Sequence, residues 1–123
     1  AVWHKAIEFA NKILSILEKP EFARKHYKLA EQLETSSASV AMNIAEGKGR
    51  HTNKEYIHFL YIARGSVYET ITLLNIFAMR NWISNDLLGD LENEGIEIVS
   101  MLKGLINSMN KQNIKYEPTD YRT

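Results

Sequence analysis

The chain has 123 residues, no cysteine, and 15 lysine and arginine residues balanced by 15 aspartate and glutamate residues. This length suits one domain with a substantial core, and the lack of cysteine excludes disulfide bonds, thiolate metal sites and cysteine nucleophiles. No run of 18 uncharged apolar residues occurs and the opening AVWHKAIEFANK is charged, so the sequence favours a soluble cytoplasmic protein without a membrane segment.

The first helix is predicted from apolar residues at three- and four-residue steps before Pro20, which is expected to stop it. Its predicted inner face consists of Trp3, Ile7, Ala10, Leu14 and Leu17. The second helix is predicted from about Phe22 through Ile44, and Gly47 and Gly49 are candidates for its C-cap. Its stretch TSSASVAMNIA predicts close helix packing, with hydroxyls bonded to carbonyls one turn earlier.

The third helix has the clearest start signal, because TNKE (residues 52–55) has the Thr-x-x-Glu form of a capping box ahead of an apolar run. Its predicted inner stripe is Tyr56, Leu60, Ala63, Val67, Ile71, Leu74 and Ala78. A fourth helix is predicted to open at Ser84 or Asn85. Its predicted stripe is Leu88, Leu91, Gly95, Ile98, Leu102, Leu105 and Met109.

Short connections between long amphipathic helices make neighbours antiparallel, so the sequence predicts an all-α, antiparallel up-down-up-down four-helix bundle over residues 1–110. Residues 111–123 (KQNIKYEPTDYRT) break the apolar period and are predicted to form a polar C-terminal tail. We expect Tyr116 and Tyr121 to anchor this tail on the bundle or on a neighbouring chain.

The third helix carries more apolar side chains than one inner stripe needs. On a helical wheel the additional residues flank the stripe or oppose it: Phe59, Tyr61, Ile62, Tyr68, Leu73, Ile76 and Phe77. Such a surface predicts a partner, most simply a second copy of the chain, so these residues form a predicted oligomer interface. The alternative is a wide core face with scattered exposed apolar residues.

Charge is segregated along the chain although the net charge is zero. Residues 84–100 contain acids and no cation, whereas residues 24–28 and 48–54 contain cations and no acid. Nucleic-acid binding by a neutral protein needs such a local patch. The predicted phosphate contacts are Arg24, Lys25, Lys28, Lys48, Arg50, His51 and Lys54. The alternative for the second group is a solvated basic turn.

NIAEGKGR (residues 43–50) is similar to a phosphate-binding loop only in composition, since GxxxxGK[ST] and GxGxxG are absent and no strand precedes it. It is predicted to lead into the turn between the second and third helices, where a helix N-terminus beside cations can hold an anion. Asn43, Glu46 and Arg64 lie near the apolar sides of their helices and are predicted to form a polar network that sets helix register.

No catalytic residue or cofactor is predicted. The serines of the second helix lack an identifiable base, and the four histidines lack HExxH or another metal-ligand spacing. His51 and His58, seven residues apart, are the one pair worth testing for metal. We therefore predict no metal site and no small-molecule substrate.

NIAEGKGR and the following NKEYIHFLYIARGSVYE resemble the NIAEG-x-GR and FL-x-IARGS-x-x-E signatures of bacterial four-helix bundle proteins encoded within intervening sequences of 23S rRNA genes. VWHKA near the start and residues 32–40 are similar to that family's opening and mid-helix motifs. The resemblance covers almost the whole chain before the tail.

This resemblance implies an antiparallel four-helix bundle that assembles as a homopentamer and has no catalytic activity. It also implies kinship with an accessory protein of the reverse transcriptase of diversity-generating retroelements, and with a catalogued ribosomal protein family. One departure concerns the second helix, where the family tends to have Arg-Arg and this chain has Glu34 and Thr35. Two cations are thereby missing from a nucleic-acid surface.

The sequence therefore favours a non-enzymatic, homo-oligomeric bundle, expected to be pentameric, that serves as an accessory or scaffold for RNA or for a nucleic-acid enzyme. The alternative is a protein-interaction scaffold without a nucleic-acid role. In that alternative the acidic fourth helix and the aromatic third helix contact protein partners.

Overall fold

The computed structural model describes residues 1–116, with side chains as far as Lys111. Five helices and no strand occur in this part of the chain: α1 (Val2–Ile16), α2 (Pro20–Arg24), α3 (Tyr27–Lys48), α4 (Asn53–Met79) and α5 (Asn85–Tyr116). The predicted all-α bundle is confirmed. Helix α5 continues past residue 110, where the bundle was expected to end, and the Tyr116 side chain and residues 117–123, with the predicted anchor Tyr121, lie outside the described residues.

Helices α1 and α5 run antiparallel along one side of the bundle. Lys5 pairs with Glu97 at 2.6 Å, and Lys12 pairs with Glu94 at 3.0 Å. The residue number therefore rises along α1 as it falls along α5, as in antiparallel helices. Helix α4 packs against the other sides of the bundle, on α3 and on α5. Successive long helices are therefore neighbours, as an up-down-up-down path requires.

Helices α3 and α4 form the closest seam of the bundle. A Cβ on Gly47 would lie 2.7 Å from Cβ of Phe59 and 2.9 Å from Cδ1 of Tyr56, so only glycine allows this approach. At mid-seam, Thr70 Oγ1 donates to Ser36 Oγ at 2.9 Å, and both hydroxyls are buried. Gly47 is consequently a packing residue inside α3, and Gly49 alone is the C-cap.

Two helix starts follow the predicted capping. Thr52 is the N-cap of α4, and its Oγ1 accepts a hydrogen bond from the Glu55 amide at 3.1 Å. Ser84 Oγ accepts from the Leu87 amide at 3.1 Å at the start of α5. These side chains satisfy amides that the first helical turn leaves without an intrahelical partner.

The second predicted helix is divided in two. Pro20 occupies the first turn of the short helix α2, where its missing amide costs no hydrogen bond. His26 then leaves the helical conformation, with φ −121° and ψ 28°, before α3 begins. No glycine or proline marks this break, so the sequence pattern predicted one continuous helix.

The inner face of α1 differs from the predicted one. The buried residues are Ala6, Phe9, Ala10 and Ile13, whereas the predicted core residues Trp3 and Ile7 are exposed. Both stripes repeat at helical spacing, and the actual orientation buries the phenyl ring of Phe9 completely. The prediction for Trp3 and Ile7 was therefore wrong.

An aromatic cluster joins α2 to the end of α4. Phe22 and Phe77 stack with ring centroids 5.5 Å apart, and Trp82 packs edge-on against Phe77 at 5.0 Å. The ring of His26 stacks on Trp82 at 3.7 Å. The break between α2 and α3 therefore brings His26 onto the cluster.

The chain leaves α4 through a tight helix ending. Asn81 has a positive φ of 61°, the Asn81 amide donates to the Ala78 carbonyl at 3.0 Å, and the Trp82 amide donates to the Phe77 carbonyl at 2.8 Å. These two bonds and the left-handed residue form a Schellman motif, and the Phe77–Trp82 contact supplies its usual apolar component. The aromatic cluster and the helix ending thus stabilise each other.

Candidate self-association and nucleic-acid surfaces

The outward face of α4 is unusually apolar for a helix in water. Its exposed apolar side chains, here named the α4 outer face, are Tyr61, Ile62, Tyr68, Ile76 and Met79. Between positions 61 and 79, Glu69 is the only residue that is both charged and exposed. This stretch is about 27 Å long at 1.5 Å per residue. A surface of that length with a single exposed charged residue is suited to burial against another protein surface.

The structure corrects part of the predicted interface. Leu73 and Phe77 lie in the chain's own core, and Phe59 is half-buried against Gly47. Tyr61, Ile62, Tyr68 and Ile76 are exposed, as an interface requires. Phe77 packs against Phe22 of α2 and against Trp82, contacts that an analysis of α4 alone could not show.

The predicted polar network does not form. Asn43 donates to the Ser39 carbonyl of its own helix at 2.8 Å, and Glu46 pairs with Arg50 at 3.1 Å. Arg64 instead lies over the Tyr61 ring, with its guanidinium carbon 4.7 Å from the ring centroid. The Arg64 guanidinium therefore borders the α4 outer face.

The predicted phosphate-binding residues belong to two separate groups. Arg24 is the last residue of α2, Lys25 follows it and Lys28 lies in the first turn of α3, whereas the other four residues lie between the end of α3 and the start of α4. Lys28 and Lys48 are 20 positions apart on one helix, a separation of about 30 Å. The two groups therefore cannot share one phosphate or a short nucleic-acid segment.

The second group, here named the basic turn, comprises Lys48, Arg50, His51 and Lys54 around the connection from α3 to α4. Arg50 is already engaged, since it pairs with Glu46 and its guanidinium carbon lies 4.7 Å from the Phe59 ring centroid. Within the described side chains, ion pairs involve Lys5, Lys12 and Arg50, so Lys48 and Lys54 remain unpaired. These two lysines are the ones free to contact an anion.

The acidic residues of α5 are partly neutralised within the chain. Glu97 and Glu94 pair with lysines of α1, and Glu92 accepts a hydrogen bond from Asn75 at 3.0 Å. The hydrogen bond that Lys5 donates to the Glu97 carboxylate, and then the negative charge of that carboxylate, raise the pKa of the Lys5 ammonium. The segregated acids thus have a structural use between helices.

No three His, Cys, Asp or Glu side chains of the described chain lie close enough to hold a metal ion. The hydroxyls of Ser36, Ser37 and Ser39 donate to carbonyls three or four residues earlier, as predicted for packing serines. In the same residues, no helix combines the length and apolarity needed to cross a membrane.

Trp3 is an exposed aromatic residue that was absent from the predicted sites. Trp3 lines an open groove between the start of α1 and the end of α3, beside Lys48. The periodic pattern had assigned Trp3 to the core because an exposed tryptophan and a buried one give the same helical spacing. The available signal was a second apolar stripe on the same helix, which includes Phe9 and Ile13. This second stripe could fill the core and leave Trp3 exposed.

Comparisons with known proteins agree with this fold. The family model described as "23S rRNA-intervening sequence protein" matches residues 1–104. A solved structure from Bacteroides thetaiotaomicron, described as a protein with unknown function from the S23 ribosomal protein family, is 24% identical, with a TM-score of 0.80 over 86% of this chain and 98% of that chain. No curated protein matches the sequence.

Proposed function

The chain belongs to the family of 23S rRNA-intervening sequence proteins, and on that premise we propose that it is a non-enzymatic, self-assembling bundle that acts as a nucleic-acid-associated accessory or scaffold. The α4 outer face is the observation that carries this proposal. Five copies is the assembly size that the sequence resemblance implies.

Self-association is supported by the shape and composition of the α4 outer face. Tyr61, Gly65, Tyr68, Thr72, Ile76 and Met79 follow one another at three- and four-residue steps along the exposed side. The inner stripe of α4, which packs in the bundle, has the same three- and four-residue spacing. A second copy would remove several large apolar side chains from water without desolvating more than one carboxylate.

The assembly is tested by light scattering coupled to size exclusion. The wild-type chain is expected at a multiple of its 14.2 kDa mass, and at five times that mass if the assembly is pentameric. Tyr68→Glu on the α4 outer face should shift the mass toward one chain. Tyr27→Glu at the start of α3 is the matched control, because the two tyrosines are 52% and 50% exposed. A wild-type mass of 14.2 kDa in dilute buffer would end this part of the proposal.

Association with nucleic acid is supported by the unpaired lysines of the basic turn. Lys48 and Lys54 flank the connection from α3 to α4, and neither has a carboxylate partner within the described residues. Cations of this kind bind phosphates mainly through release of counterions. The binding that we propose is therefore local and strongly dependent on salt, since the whole chain has no net positive charge.

The proposed binding of nucleic acid is tested by electrophoretic mobility shifts of a structured RNA at low and moderate salt. Binding should weaken steeply as salt rises, and Lys48→Gln with Lys54→Gln should reduce the slope by about one for each lost phosphate contact. Arg24→Gln with Lys25→Gln removes two cations from the opposite end as the matched control. Absence of binding at low salt would contradict the nucleic-acid role.

A protein-interaction scaffold without a nucleic-acid role is the second candidate. A groove at the other end of the bundle favours it, because Leu17, Phe22 and Ala30 line it together with Glu31 and Glu34. Two carboxylates repel phosphates but suit a basic, partly apolar protein segment. Capture of partners from the host with and without nuclease separates the candidates: partners that persist after nuclease treatment favour the protein scaffold.

A further inference from the structure

The groove between the start of α1 and the end of α3 combines an exposed aromatic ring with a free cation. It has a volume of about 410 Å³ and, besides Ala1, is lined by Trp3, His4, Ile44, Ala45, Lys48 and Gly49. No carboxylate contributes to its lining. Ligand sites in proteins commonly fall in the range of about 300–1,000 Å³.

The Trp3 indole has a face available for stacking. Trp3 is 41% exposed, and the one ring that contacts it among the described residues is His4. The two ring centroids lie 5.0 Å apart with planes at 76°, an edge-on arrangement. In an edge-on contact the histidine covers at most one face of the indole. The exposed part of the indole, which lines the groove, is available for stacking on a flat ligand.

The charge beside this ring suits a phosphate. Lys48 lines the groove and has no ion-pair partner among the described residues, and Lys54 lies beyond the turn at the start of α4. Arg50 is held by Glu46 and by the Phe59 ring. Lys48 is therefore the cation best placed to contact a group bound against Trp3.

We propose that this groove binds single-stranded nucleic acid, with an unpaired base stacked on Trp3 and the adjoining phosphate contacted by Lys48. Proteins that bind single strands combine aromatic stacking platforms with cations that follow the backbone. The inference rests on the proposed nucleic-acid association and adds its substrate class. A base inside a duplex has no free face, so the groove distinguishes single strands from paired ones.

Neither the second tryptophan nor the groove near Leu17 offers this combination. The Trp82 ring is stacked against His26 at 3.7 Å and packed by Phe77, so a base cannot lie on it without displacing the cluster. The groove near Leu17 contains Glu31 and Glu34, which repel phosphates. Trp3 is therefore the tryptophan that can serve as a platform.

The chain has two tryptophans, which makes a direct optical test feasible. Trp82→Phe leaves Trp3 as the sole indole. We expect its fluorescence to be quenched to saturation by a single-stranded oligoadenylate of about ten nucleotides, a length within the site sizes of single-strand modules. A blunt duplex of equal length should quench it far less. Equal quenching by the two probes, or none by the single strand, would overturn the assignment.

Affinity measurements on variants of the full chain provide the second test. Trp3→Ala should weaken binding of the single strand by roughly 5- to 100-fold, and Trp3→Phe should retain most of the affinity because phenylalanine also stacks. Lys48→Gln should lower the salt slope by about 0.7, the value for one phosphate contact of a single strand. Far-UV circular dichroism checks that each variant is folded. Unchanged affinity in a folded Trp3→Ala would overturn the stacking site.

The outcomes separate this inference from the proposed function on which it depends. If structured RNA binds in a salt-dependent way and Trp3→Ala does not change its affinity, the nucleic-acid association is supported and the stacking site is contradicted. Absence of binding by every nucleic-acid probe removes both. If Trp3 fluorescence responds to protein concentration and not to the oligonucleotide, the groove is a contact between copies of the chain, and the stacking site is likewise removed.

Discussion

The two ends of the bundle each carry a tryptophan beside a histidine, but the two pairs have different surroundings. At one end, His26 stacks on Trp82 while Phe22 and Phe77 enclose the cluster. At the other end, Trp3 contacts only His4 among the described rings, and unpaired lysines lie nearby. The same two residue types thus stabilise the fold where further rings cover them, and present a binding surface where none does.

This difference predicts how stability is distributed along the bundle. The end with Trp82, here named the aromatic end, contains fully buried phenyl rings and a helix ending whose backbone groups are hydrogen-bonded. The end with Trp3, here named the basic end, has a partly exposed tryptophan and cations in contact with water. Substitutions at the aromatic end should therefore change the free energy of unfolding. Substitutions of exposed groups at the basic end should change ligand binding with little effect on folding.

The largest effect is expected from Phe77→Ala. Its ring is fully buried between Phe22 and Trp82, so truncation leaves a cavity and should cost about 3–5 kcal/mol in the free energy of unfolding. Urea denaturation followed by far-UV circular dichroism measures the loss. Trp3→Ala is the matched control at the opposite end and should cost much less. Equal losses in the two variants would remove the distinction between the ends.

Gly47→Ala tests the one tightly packed element of the basic end. A methyl group there would lie 2.7 Å from Cβ of Phe59, so α3 and α4 must separate, at a cost of about 1–3 kcal/mol. Gly104→Ala adds the same group where no atom lies within 4 Å and should stabilise α5 by up to about 1 kcal/mol. Thermal unfolding of the two variants gives the comparison. A Gly47→Ala variant as stable as the wild type would refute the close seam.

Asn81 tests the helix ending at the aromatic end. Its φ of 61° is accessible to glycine and tolerated by asparagine, whereas alanine adopts it at a cost of about 1–2 kcal/mol. Asn81→Ala should therefore lower the unfolding midpoint in urea, and Asn81→Gly should leave it nearly unchanged. If both variants behave alike, backbone strain is not what asparagine relieves at this position.

The smallest expected effect is a loss of stability at alkaline pH, caused by ionisation of Tyr56 at the basic end. Burial raises the pKa of the Tyr56 phenol above its ordinary value of 10.0. The unfolded chain therefore releases the phenol proton at a lower pH than the folded chain does. The contribution of Tyr56 to the free energy of unfolding is constant below pH 10, and it falls as the pH rises through the folded pKa. Lys5, whose pKa Glu97 also raises, acts in the same direction.

Tyr56→Phe isolates the tyrosine contribution, because the lysine pair remains in the variant. Urea midpoints measured near pH 8 and near pH 11 should fall less in Tyr56→Phe than in the wild type. An identical fall in the two proteins would mean that the phenol ionises equally easily when the chain is folded and unfolded.

Much of the fold could be predicted because its signals are local. Thr52 caps the helix that it was expected to cap, and Ser84, one of the two predicted start positions of the last helix, caps that helix, since each side chain and the amide that it satisfies are three residues apart. The break at His26 was missed because neither glycine nor proline marks it, and because the contact that accompanies it, the stacking of the His26 ring on Trp82, is distant in sequence. A pattern within the helix contains no trace of that contact.

The predicted site residues illustrate the same limit. Tyr61, Ile62, Tyr68 and Ile76 are exposed on α4, but Leu73 and Phe77 at similar helical spacing are buried. Which side of a helix wheel faces a neighbour depends on where that neighbour lies, and periodicity within one helix does not specify it. The same reasoning explains why Trp3 was assigned to the core and is instead exposed.

The amino-acid sequence by itself determined the number of long helices and where they start, because capping and apolar periodicity act between residues a few positions apart. The resemblance of its motifs to those of a known family indicated the family, and the family model confirms it. The tertiary structure alone decided that Gly47 is a packing residue, that Leu73 and Phe77 are buried, and that Trp3 is exposed. These outcomes depend on the rotation and separation of whole helices, and both are set by contacts between residues that are distant in the chain.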